Sequence, residues 1–137
     1  MKELTVLAKT DKLDEIMEFV NSELEAANCS MKVQMQVELA VEEIFVNIAN
    51  YAYAPKEGTA TISVDLTGDG ALLRIVFKDS GTPYDPLAKE DPDVTLSAQD
   101  RAIGGLGIFM TKKSMDNVSY EYKDGQNILT LEKRIVG

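Results

Sequence analysis

Apolar residues along this chain keep a helical period twice, then switch to the period of a strand. Leu13, Ile16, Met17, Val20 and Leu24 recur at three- and four-residue steps, one face of a helix. A short strand is expected before it, from Glu3 to Ala8, with Thr10 or Asp11 as the helix cap and an end near Asn28. The same period returns from Gln36 to Tyr53, where Val37, Val41, Ile44, Ile48 and Ala52 form the stripe. Ser30 is placed to cap this second helix, and Pro55 with Gly58 to close it. From Thr59 the period is two. Ala60, Ile62, Val64 and Leu66 alternate with polar residues, Gly68-Asp69-Gly70 turns the chain, and Ala71 to Lys78 returns as the partner strand.

Residues 80 to 103 fit neither period. They are polar, hold three prolines, and are longer than an ordinary connection, so a functional lid is expected between residues 82 and 103. Gly104-Gly105-Leu106-Gly107 ends that segment and opens an apolar helix, Ile108 to Met115. Two last strands, Val118 to Tyr122 and Asn127 to Ile135, meet across Lys123-Asp124-Gly125. The order β-α-α-β-β-loop-α-β-β predicts one domain over residues 1–137. Its fold class is an α/β (α+β) two-layer sandwich, with a mixed, mostly antiparallel sheet covered on one face by helices.

The second helix carries more than its core stripe. Glu43 and Asn47 are four residues apart and point to one side, with Gln36 and Asn50 nearby. A carboxylate and a neutral amide on one rigid support suit chemistry on a metal-bound phosphate. The amide oxygen can ligate Mg²⁺, and the carboxylate can take a proton from an attacking hydroxyl or water. Glu42 cannot do the same, because Val46 stands one turn after it.

Charge and composition narrow the partners. The formal charge of -9 speaks against nucleic acid or an anionic membrane surface, so an anionic ligand needs a metal and backbone dipoles. Histidine is absent, which excludes Ser-His-Asp and Cys-His catalysis and phosphotransfer to a histidine of this chain. The single Cys29 makes no internal disulfide and reads as a packing residue of a reducing compartment. No run approaches membrane-spanning length, and a cytoplasmic protein is expected.

Two further stretches carry chemistry. Gly104, Gly105 and Gly107 before a helix let backbone N–H groups converge on an anion, with Lys112 and Lys113 adding charge. This is neither a Walker loop nor a dinucleotide fingerprint, since no Lys-Ser/Thr follows and no strand feeds it. Asp79-Ser80-Gly81 at a strand end offers a carboxylate to an exocyclic amine such as adenine's, with Gly81 allowing a base to lie on the backbone.

Glu-x-x-x-Asn, Asp-x-Gly and Gly-Gly-x-Gly in this order resemble the ATP-binding fold shared by gyrase, Hsp90, the sensor histidine kinases and MutL. DSGTPYDP and GGLGIFMTKKSMDNVSYE are similar to runs of the bacterial anti-sigma-factor serine/threonine kinases. The resemblance covers about residues 3 to 133. It implies a protein serine/threonine kinase using ATP and Mg²⁺, with Asn47 as metal ligand and Glu43 as the catalytic base. It also implies that Asp79 and Gly81 recognise adenine, and that Gly104, Gly105, Leu106 and Gly107 form the phosphate-wrapping box. In such kinases the substrate is an anti-sigma antagonist protein, a sigma factor is sequestered, and the chain forms a homodimer. Tyr51 stands where relatives often carry His, Ile103 where some carry Arg (Arg101 is two residues off), and Asn127 near a frequent Thr. The alternatives are a nucleotide-switched binder without phosphotransfer and an excised histidine-kinase catalytic domain. DSGTPYDP and the lack of a dimerisation helix speak against the latter.

Overall fold

A computed structural model of the chain describes residues 2–53, 56–67, 71–88 and 105–135. Among them the elements run β1 (Lys2–Leu7), α1 (Leu13–Ala26), α2 (Met31–Tyr51), β2 (Thr59–Thr67), β3 (Leu72–Asp79), α3 (Gly105–Ser114), β4 (Asn117–Lys123) and β5 (Gln126–Arg134). Single turns of 3₁₀ helix lie at Thr10–Lys12 and Pro86–Ala88.

The sheet order is β1-β2-β3-β5-β4. The expected two-layer α/β sandwich is the observed fold, and each of these four ladders is antiparallel. The β4–β5 hairpin closes on Asp124 and Gly125, both at positive φ (55° and 77°). That pair of angles is what a two-residue turn needs to match the strand twist, and glycine takes it without steric cost.

Alternation sends Ile62, Val64, Leu73, Ile75, Phe77, Leu129 and Leu131 to the covered face, where each is buried. α1 answers with Ile16, Val20 and Leu24, and α2 with Val37, Val41 and Ile44. Each such burial stabilises by about 1.5–3 kcal/mol. Phe45 and Ala40 are also buried, so the core arc of α2 is wider than the expected stripe. Cys29 packs on this core as a half-buried residue.

Two expectations are corrected. Thr10 and Asp11 do not cap α1: they form the 3₁₀ turn, and Lys12 precedes the helix with no side-chain cap. Ser30 does cap α2, its hydroxyl accepting from Val33 N at 3.2 Å. Gly105 to Gly107 do not precede the third helix but form its first turn. The Gly68-Asp69-Gly70 turn, Pro55, most of the expected lid, Arg101, Ile103 and Gly104 lie outside the described residues.

Candidate active site

Glu43 and Asn47 sit one turn apart on α2, and the Asn47 amide Nδ2 donates to Glu43 Oε1 at 3.3 Å. That bond turns the amide oxygen of Asn47 away from Glu43. A hard oxygen donor on a rigid helix fits Mg²⁺, which uses few protein ligands and fills its shell with water and phosphate oxygens. Partial burial raises the pKa of Glu43 above its ordinary 4.5; the Asn47 hydrogen bond opposes this and the Glu42 charge adds to it. A carboxylate shifted upward is a better proton acceptor.

α3 meets α2 at this point. A Cβ on Gly107 would overlap the Glu43 carboxylate, so with glycine here the first turn of α3 and the carboxylate meet without the side chain swinging aside. Gly107 of the glycine box and the Glu/Asn pair, 64 residues apart at Glu43 and Gly107, therefore share one place. Glu43, Gly107, Leu39, Met110 and Thr111 line a hollow of about 570 Å³ between the two helices. Lys112 and Lys113 lie in the last turn of α3, far from its glycine end, and Lys113 Nζ stands 5.4 Å from the Phe109 ring.

Asn47 also borders a second, tighter cavity of about 40 Å³ at the C-terminal end of α2. Ile44, Ile48, Phe77 and Leu129 supply its apolar walls, and Asp79 and Asn127 its polar end. Asp79 is only 5% exposed. Its Oδ1 accepts from Gly81 N at 2.9 Å and from Asn127 Nδ2 at 2.9 Å. An apolar slot that ends in a buried carboxylate suits the edge of a purine that bears an amino group.

Gly81 has a local reason to be glycine. A Cβ there would overlap the Ala52 carbonyl, and Thr82 N donates to that same carbonyl at 2.8 Å. Tyr53 ties the same two segments: its hydroxyl accepts from Ser80 N at 2.7 Å and donates to Thr59 O at 2.6 Å. The end of α2 and the Asp79-Ser80-Gly81 turn are thus one unit. Sequence reasoning missed Tyr53, Tyr84 and Tyr120, and treated Asn127 only as a departure from a pattern. Register places Asn127 directly opposite Asp79, and opposed residues share a face. Tyr51 is exposed and its ring lies 6.2 Å from that of Tyr84, at the rim of the slot.

Sandwich, Glu/Asn helix, buried strand-end aspartate and glycine turn together define an ATPase domain of the histidine-kinase type. The chain belongs to the histidine kinase-like ATPase domain family, whose model matches residues 6–133. Its curated relatives include serine/threonine-protein kinase BtrW of Bordetella bronchiseptica, 29% identical over 102 residues, 74% of this chain and 71% of that protein. Serine-protein kinase RsbW of Listeria monocytogenes is 28% identical over 108 residues, 75% of this chain and 68% of that one. Among solved structures, the RsbU and RsbW domains of Rv1364c from Mycobacterium tuberculosis align with a TM-score of 0.64 at 16% identity. That match covers 98% of this chain and a third (33%) of the mycobacterial one, and it speaks for the fold.

Proposed function

We propose that this chain is a Mg-ATP-dependent protein serine/threonine kinase of the anti-sigma-factor type. The observation that carries the reading is the meeting of Glu43, Asn47 and Gly107 beside a slot that ends in Asp79. The slot takes adenine, with Asp79 accepting from its exocyclic amine, and the phosphates run along α2 toward Gly107. Glu43 takes the proton of the acceptor hydroxyl as its oxygen bonds to the γ-phosphorus, the bond to the β,γ-bridging oxygen breaks, and ADP leaves. Mg²⁺, held by the Asn47 amide oxygen, would supply charge neutralisation on the phosphates.

The relatives named as serine and serine/threonine kinases favour a protein hydroxyl as acceptor. Within this reading the substrate is a serine- or threonine-bearing antagonist, the partner released or held is a sigma factor, and the setting is cytoplasmic. Gly104, Gly105 and Leu106 complete the phosphate-binding box with Gly107. A homodimer through the free edge of β1 belongs to the same proposal, since among the described residues β1 pairs only with β2.

Calorimetry of Mg-ATP binding to Asp79→Asn tests the site. The amide keeps the shape but offers an N–H to an N–H, and affinity should collapse while the far-UV spectrum is unchanged. Wild-type affinity in that variant would remove adenine from the slot.

A further inference from the structure

Asn127 is buried (7% exposed), and every hydrogen-bonding valence of its side chain is in use. Nδ2 donates to Asp79 Oδ1 at 2.9 Å and to Thr82 O at 3.0 Å. Oδ1 accepts from Tyr84 N at 3.1 Å and from the Tyr120 hydroxyl. A primary amide has two donors and two acceptor lone pairs, so nothing remains for a ligand.

Chemistry also fixes which way the amide faces. A backbone N–H can only donate and a backbone carbonyl can only accept, so Tyr84 N must meet the oxygen and Thr82 O the nitrogen. The second amide hydrogen then has to point at Asp79. Together with Gly81 N it occupies Asp79 Oδ1, and among the described residues no hydrogen bond engages Oδ2, the carboxylate oxygen left to meet a base.

We propose that Asn127 is a positioning and specificity residue that acts on the nucleotide only through Asp79. By holding Oδ1 it makes Asp79 a single, oriented acceptor, and so sets the preference for a purine carrying a 6-amino group. The inference rests on the adenine reading of the slot and goes beyond it: Asn127 borders the cavity yet makes no polar contact with the base.

The test compares ATP with purine riboside triphosphate, which has the same ring and phosphates but no 6-amino group. Both are titrated into wild type, Asn127→Ala and Asp79→Asn by calorimetry in Mg²⁺. Wild type should prefer ATP, and Asn127→Ala should lose about tenfold in ATP affinity while binding purine riboside triphosphate as before. In the Asp79→Asn background the same alanine should cost less than twofold, because the acceptor oxygen that Asn127 orients toward the 6-amino group has become an N–H donor. Equal losses for both nucleotides would make Asn127 a scaffold residue and overturn the proposal while leaving the adenine reading intact. A wild type without preference for ATP would remove the adenine reading and the proposal with it. Should Asn127→Ala melt below the titration temperature, Tyr120→Phe carries the test. Removing that hydroxyl loosens the amide, and the same selective loss for ATP is expected, about threefold; an unselective loss overturns the proposal.

Discussion

At Glu43, partial burial of a carboxylate costs stability, and in the proposed mechanism the same burial makes it a better base. Its pKa is raised in the folded chain, so the folded state holds its proton to higher pH than the unfolded state does. The ionised carboxylate therefore costs stability above the raised value, and the cost vanishes as pH falls below the ordinary 4.5. Glu43→Gln should melt higher than wild type at pH 7, with the gain shrinking through the acid range in calorimetric scans. A gain that grows as pH falls would contradict the desolvated carboxylate. Phosphate transfer should carry the same signature, falling on acidification with a midpoint above that of an ordinary carboxylate. At the same scale lies the limit of what the sequence reveals. Glu43 and Asn47 are legible because helix geometry alone puts residues four apart on one side. The Asn127 contact with Asp79 spans 48 residues and exists only through the β3–β5 register, which no local pattern encodes. Tyr53 is hidden for the same reason, its two partners being backbone groups of Thr59 and Ser80.

Between elements, the site is a product of joints. α2 is fixed at its start by Ser30 and at its end by the Ala52 carbonyl, which receives Thr82 N. Ser30→Ala should cost about 1 kcal/mol, seen as a drop of a few degrees in the melting temperature. Gly81→Ala should cost more, roughly 1–3 kcal/mol, since the new methyl meets backbone that cannot swing aside. Its nucleotide affinity should fall with it, because the displaced turn begins at Asp79. A Gly81→Ala protein with wild-type melting temperature would mean that the turn and α2 are not locked. Periodicity located α1 and α2 because their stripes are buried, and the strands because one face is covered. It misplaced the start of α1, where a 3₁₀ turn takes up Thr10 and Asp11 before any side chain can cap. It also set the glycines before α3 rather than inside it, since glycine's low helix propensity argues for a break. Gly107 nonetheless lies in the first turn of α3, against Glu43.

For the whole molecule, an antiparallel sheet under three helices gives a floor, and the proposed chemistry lies along one helix above it. The dimer through β1 predicts light scattering at micromolar concentration of a particle twice the 15.1 kDa of the chain. A clean 15.1 kDa species would remove that part of the account. The central claim is that bound nucleotide and Glu43 form one catalytic unit. Transfer of γ-labelled phosphate from Mg-ATP to the serine-bearing antagonist, measured in single turnover beside calorimetric ATP binding, tests it most directly. Glu43→Gln keeps the shape and the Asn47 contact but cannot take a proton, so binding should stay near wild type. Transfer should fall by about 10²–10⁴-fold, equivalent to roughly 3–5 kcal/mol of barrier. Asn47→Ala should lose both transfer and the Mg²⁺-dependent part of the affinity. Transfer at the wild-type rate by Glu43→Gln, with binding unchanged, would contradict the account.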